Sequence, residues 1–403
     1  MTTITDSRCD HLLEQMHKHD GLAPVDLDRF WADDAKAKAD PFAPDCPQVP
    51  CGVMMSGEAV WDELGIPEDW TRYEFDPPYR AELHRRYNDI AERIVGRRLL
   101  NESVPDASLR YPKTQSLADI FEAGQKWQNG SWWLLEAAHN EDELKSLLDR
   151  VEKRLDPRNP RNPRKLRDFV LPPEWDAEKD RLMRLGVKPP LYRGQRGPVT
   201  FATSIYGPEN LLYLILDHPE LAGRLRDTIM RAMLGLAKVL DDEAGWTPDS
   251  DFGRGFWFAD DNCALLTPDM YEFFGYPILK AIFGRYAPRP GDARFQHSDS
   301  DMGHLLPILG RLKLTGVNFG PKVLVERIRP HLPGAVIEGV LAPFTFSRDD
   351  RAGIVNEFLR DFDQARGGKG LKFATAGSIN NGSKLAGMRL IMSAIQHFGR
   401  YDR

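Results

Sequence analysis

The sequence predicts an α/β protein: a single TIM-type (β/α)8 barrel over residues 51–403, with an N-terminal extension over residues 1–50 and a basic loop insertion. Three observations predict this class. First, short apolar runs repeatedly end in polar residues, the pattern of buried strands that present side chains at one rim. These runs are Phe256-Trp257-Phe258-Ala259 before Asp260-Asp261-Asn262, Arg294-Phe295-Gln296 before His297-Ser298-Asp299-Ser300-Asp301, Gly316-Val317 before Asn318, and Ala335-Val336-Ile337 before Glu338. Second, helix signals separate them. Third, the length of 403 residues, 41% hydrophobic and 28% charged, fits one large barrel.

Composition narrows the functions. The net charge of −6 gives no general pull toward nucleic acid or anionic membranes. No run of 18 apolar residues exists, so no membrane span is predicted. The segment from Met1 to Arg8 lacks the hydrophobic core of a secretory signal. Four cysteines (Cys9, Cys46, Cys51 and Cys263) do not make a disulfide scaffold in a chain this long, and a reducing cytoplasm is the expected setting.

In chain order, residues 1–50 are polar and marked by Pro41, Pro44, Pro47 and Pro50, with a helix near Asp26 to Lys38. Cys46 and Cys51 lack zinc-knuckle spacing and read as structural. Gly52 to Met55 is a first short strand and Glu58 to Leu64 a helix. Asp76-Pro77-Pro78 opens a helix to about Arg93. Arg93 to Glu102 is a strand carrying Arg97 and Arg98, either a solvated pair or an anion anchor. Trp127, Trp132 and Trp133 form an aromatic patch read as core or lid rather than as a stacking platform.

Glu141 to Leu155 is an amphipathic helix, and the proline-broken basic run from Asp156 to Arg167 is an exposed loop. Gly197 to Gly207 reads as a strand. A helix follows from Pro219 to about Asp241, with His218 at the surface. Thr267-Pro268-Asp269 gives an N-cap, an N1 proline and a first-turn acid for a helix to about Tyr286. Further helices start at His304, Lys322 and Arg348-Asp349-Asp350. Leu371 to Ala376 is the last strand, and a helix from Lys384 to His397 closes the chain. Six strands from Gly197 onward, with two or three earlier ones, complete the barrel.

Several of these segments resemble the uroporphyrinogen decarboxylase family: Gly197-Pro198-Val199-Thr200-Phe201-Ala202, the run from Leu266 to Phe274 with Tyr276-Pro277, His297-Ser298, Val317-Asn318-Phe319-Gly320-Pro321, and the terminal Gly377-Ser378-Ile379-Asn380-Asn381-Gly382 loop. The resemblance spans about Gly197 to His397. It implies a barrel, a possible homodimer, and one of two chemistries. One branch decarboxylates the acetate arms of a tetrapyrrole without a cofactor. The other moves methyl groups between corrinoid proteins and thiols or other acceptors, generally with zinc.

The sequence departs from both branches. The arginine-rich N-terminal motif of the decarboxylases is missing, their strand-end tyrosine falls on Ser204 with Tyr206 two positions on, and their loop histidine is absent from Gly377 to Ser383. The His-x-Cys of the zinc methyltransferases reads His297-Ser298-Asp299, and their last cysteine is replaced by Ala376-Gly377. No Asp-x-His-x-x-Gly corrinoid motif is recognisable, so a corrinoid would arrive on a separate protein.

The residues themselves suggest the chemistry. His297 and Asp299, two apart on a strand, share a face. With Asp260 or Asp261 from the neighbouring tip they are candidate ligands of a divalent cation: zinc first, iron or manganese as alternatives. The same groups also suit proton transfer, and a hydrogen-bonded histidine with capping aspartates is the structural alternative. The expected catalytic residues are His297, Asp299 and Glu338. The expected substrate contacts are Asn318, Tyr206, Asp261 and Arg193, and the expected metal ligands His297, Asp299 and Asp260.

The leading expectation is metal-assisted methyl transfer between a small methylated substrate and a corrinoid protein. The alternatives are a lyase that anchors a carboxylated substrate on Arg97, Arg98, Arg193 or Arg196, and a non-catalytic tetrapyrrole- or corrinoid-binding protein.

Overall fold

The computed structural model describes residues 6–128, 130–156 and 165–402. The loop expected over Asp156 to Arg167 lies mostly outside these residues. The chain divides into two compact units: Met1–Val104 with His297–Leu306 and Gly316–Arg403, and Pro105–Gln296 with Pro307–Thr315.

A hairpin is formed by β1 (Gln125–Gln128) and β2 (Ser131–Leu134). Six further strands follow: β3 (Gly194–Arg196), β4 (Phe256–Ala259), β5 (Arg294–Ser298), β6 (Gly316–Phe319), β7 (Val336–Glu338) and β8 (Leu371–Lys372). Within the second unit β3 lies beside β4, and within the first unit the order is β6-β7-β8. The pairs β3–β4, β6–β7 and β7–β8 are parallel. This is the alternating α/β architecture expected, but the eight-stranded closed barrel is met only in part. Among the described residues there are eight strands, two of them in the separate hairpin, and no closed ring is formed.

In the first unit, Val317, Phe319, Ile337, Leu371 and Phe373 are fully buried. Alternation along a strand then sends Asn318, Glu338 and Lys372 to the opposite face. The register places Asn318 beside Glu338 and Glu338 beside Lys372. Where a first strand was expected, Cys51 makes a single parallel bridge to Phe373, with Gly52 N donating to Phe373 O at 2.7 Å. Pro47 and Pro50 lack the N–H donors that a longer strand needs.

The strand expected over Arg93 to Glu102 is not formed. The helix Pro77–Val95 runs through to Gly96, and Asn88 takes the place of a sheet neighbour for the chain beyond. Its Oδ1 accepts from Leu99 N and Leu100 N, and its Nδ2 donates to Leu100 O.

In the second unit, the strand expected over Gly197 to Gly207 is the helix Pro198–Tyr206, and the strand itself is β3, just before it. Pro198 occupies the N1 position, where its fixed φ and missing N–H suit a helix start. Eight of the nine residues of that helix are buried. An apolar run of that length lacks the polar face that separates a helix from a buried strand. The hairpin leaves Trp132 and Trp133 about half exposed, so they are not core residues. The helices expected at Asp26, Glu58, Glu141, Pro219 and Pro268 form as Leu27–Ala39, Gly57–Leu64, Glu141–Leu155, Pro219–Ala244 and Pro268–Tyr286. Thr267 caps the last of these by accepting from Met270 N.

Candidate functional site at the strand tips

His297 is the fourth residue of β5, and Asp299 follows the end of that strand. His297 Nδ1 lies 2.8 Å from Asn318 Oδ1 on β6. Asn318 Oδ1 also accepts from Gly377 N at 2.8 Å. Asn318 Nδ2 donates to Glu338 O at 2.9 Å and Thr375 O at 3.0 Å. Further along the row, Lys372 Nζ is 3.1 Å from Glu338 Oε1, and both side chains keep about a quarter of their surface exposed. A continuous polar row therefore runs across β5, β6, β7 and β8 in the first unit.

Two glycines let backbone approach the row. A Cβ on Gly377 would lie 3.3 Å from His297 Cε1 and 3.7 Å from Asp299 Oδ2, and its φ of +87° suits glycine. A Cβ on Gly320 would lie 2.2 Å from Asp299 O, so no side chain fits there.

In the first unit, His297 and Asp299 each offer a ligand atom, and these two atoms lie within 4.8 Å of each other. His297 is half-buried and Asp299 is exposed. An imidazole and a carboxylate are donors of borderline and hard character, which suit zinc, iron or manganese. The described cysteines are all buried thiols, and none joins this pair.

Asp260 is placed differently. It is fully buried, and its Oδ1 accepts from Thr200 N at 2.8 Å, near the start of the helix Pro198–Tyr206. Burial pushes its pKa up to about 7 against the hydrogen bonds from Thr200. The neighbouring Asp261, expected as a substrate contact, is half-buried and opens the short helical turn Asp261–Leu265.

The remaining expected residues are buried or engaged within their own units. Arg193 precedes β3, at the opposite end of the strand from its C-terminal tip. It bonds Asp241 at 2.7 Å, Gly253 O and Tyr192 O, and stacks over Trp246 and Tyr286. Tyr206 is buried at the last turn of its helix. Arg98 is ion-paired with Glu102, Asp89 and Glu92, and Arg97 lies over Trp31. Arg196 reaches Ser204 Oγ at 3.4 Å.

Lys372 was not singled out from the sequence. The signal was present: a lysine between Leu371 and Phe373 in an apolar strand must face away from both.

The chain is thus an α/β protein with polar side chains at the ends of parallel strands. No family model matches the chain. No curated protein matches it. Among solved structures, a methyltransferase from Methanosarcina mazei is similar at 16% sequence identity with a TM-score of 0.54, over 91% of this chain and 98% of that one. The likeness shows a shared fold across nearly the whole of both chains. No helix among the described residues is long and apolar enough to cross a membrane.

Proposed function

We propose that this chain is an enzyme that transfers a methyl group from a small methylated substrate to a corrinoid on a separate protein, at a divalent cation held by His297 and Asp299. The observation that carries the reading is the approach of the His297 and Asp299 ligand atoms to within 4.8 Å of each other at the end of β5. The fold shared with a methyltransferase supports it. The resemblance of Gly197 to His397 to a family with a methyl-transferring branch points the same way.

The reaction requires that the carbon–heteroatom bond of the substrate break with its electron pair left on the heteroatom. The methyl carbon bonds to a reduced cobalt, which supplies the new pair, and the heteroatom takes up one proton. A bound cation supplies Lewis acidity that makes the heteroatom a better leaving group. The chain's own residues hold and orient. His297 is braced by Asn318, and the exposed Asp299 presents a carboxylate beside it. Glu338 is kept next to the Lys372 ammonium, so this pair is the proton-handling part of the row.

The test is a methyl-transfer assay with the zinc-loaded protein, cob(I)alamin as acceptor, and a panel of methyl ethers, methyl thioethers and methylamines. Conversion to methylcobalamin with one class of donor, lost in His297→Ala, is expected. Carbon dioxide release from a porphyrinogen, with no methyl transfer from any donor, would replace this reading with the lyase.

A further inference from the structure

We infer that Asn318 is a positioning residue that fixes the hydrogen of His297 on Nδ1 and so reserves Nε2 for the metal. The inference rests on the metal-site reading above. The orientation of the Asn318 amide is dictated by its surroundings. One end faces two carbonyl oxygens, of Glu338 at 2.9 Å and Thr375 at 3.0 Å. Carbonyl oxygens only accept, so that end is the NH2.

The other end is then the amide oxygen, which faces His297 Nδ1 at 2.8 Å and Gly377 N at 2.8 Å. An amide oxygen has no hydrogen to give, so Nδ1 carries one whether the ring is neutral or charged. In the neutral ring the lone pair is therefore on Nε2. Metal-bound histidines are commonly held this way, with the far nitrogen donating to a fixed acceptor.

The four bonds use both hydrogens and both lone pairs of the amide. Asn318 is 9% exposed and has no bonding capacity left for a substrate, which sets this role apart from the substrate contact expected of it. The same bonds join the end of β7 and the loop after β8 to β6. The ring is thus braced by three segments through a single side chain.

The test combines a metal-free and a metal-dependent readout on the full chain. Histidine 15N spectra, with the His297 signals assigned by their loss in His297→Gln, are recorded on metal-free protein at a pH where the ring is neutral. Zinc affinity is measured by competition with a chelator. The wild type is expected to show the Nδ1–H tautomer. Asn318→Ala is expected to lose that preference and to bind zinc about 10- to 100-fold more weakly. Asn318→Asp keeps the acceptor and is expected to keep the tautomer. Thr375→Ala, which removes only the bond from Thr375 Oγ1 to Gly377 O, is expected to change neither readout.

An Nε2–H tautomer in the wild type overturns the inference, even if Asn318→Ala fails to fold. So does an Asn318→Ala protein that binds zinc weakly yet keeps the Nδ1–H tautomer, since that loss would be structural. If Asn318→Ala loses the tautomer while neither protein binds any metal, the metal reading fails and the positioning role stands.

Discussion

Glu243 and Glu338 are both shielded carboxylates paired with a lysine, yet their surroundings differ. Glu243 is almost wholly enclosed and accepts from Arg167 at 2.7 Å, Lys179 at 2.8 Å and Trp175 Nε1 at 3.0 Å. Glu338 keeps about a quarter of its side chain open, and its ion-pair partner among the described residues is Lys372 alone. The first cluster has its acceptor capacity occupied and ties the helices Lys165–Val170 and Trp175–Arg184 to the long helix Pro219–Ala244. The second lies on a sheet face, in line with an imidazole, and has capacity to spare. Burial with saturation marks a structural group, and partial burial with free capacity marks a working one.

The largest expected effect falls on the saturated cluster. Glu243→Gln leaves two cations without their shared carboxylate, and should destabilise the protein by about 3 kcal/mol in denaturant unfolding while leaving zinc affinity unchanged. Burial raises the Glu243 pKa, but hydrogen bonds from Arg167, Lys179 and Trp175 outweigh it and hold the group down at about 2, against 4.5 for a free glutamate. The folded state therefore binds that proton less readily than the unfolded state. The stabilisation is complete above about pH 4.5 and is lost as pH falls toward 2, so the gap between wild type and Glu243→Gln should close over that window. A gap independent of pH would mean that the carboxylate charge is not what holds the cluster together.

A smaller effect is expected at the open site. Asp299→Cys exchanges a hard ligand for a soft one and should shift the preference for zinc over manganese by about tenfold or more, with little change in unfolding free energy. Unaltered selectivity would remove Asp299 from the ligand set. The smallest effect is that of Lys372→Met on stability, below about 1 kcal/mol, because the Glu338 pair is partly exposed to solvent. Its methyl-transfer rate should nevertheless fall, with partial recovery in Lys372→Arg. A large loss of stability would instead make Glu338–Lys372 a second structural cluster like that of Glu243.

The same contrast explains what could be read from the sequence. The tips of β4 to β7 were legible because each is an apolar run broken by a polar residue, and a strand places that break at a predictable end. That pattern singled out His297 and Asp299, with Asp260 as the expected third ligand and Asp261 as an expected substrate contact. The helix Pro198–Tyr206 was not legible as a helix, because it is buried on all sides and its Val, Thr and Ile content suits a strand equally well. Arg97 and Arg98 looked like strand residues because the satisfaction of the following backbone by Asn88 has no sequence signature. The bracing by Asn318 depends on partners 20 to 59 residues away, and only the folded register brings them together. Asp260 and Asp261 are adjacent in sequence but differ in burial, because β4 ends at Ala259 and the chain turns into the short helix Asp261–Leu265 at that point.

The measurement that bears most directly on the account is a zinc titration of the metal-free wild type and of His297→Ala against a competing chelator. The account predicts one equivalent bound by the wild type and an affinity at least about 100-fold lower in the variant, beyond the 10- to 100-fold typical of losing a supporting residue. Failure of the wild type to bind an equivalent, or equal affinity in His297→Ala, would contradict the assignment of the strand tips as a metal site.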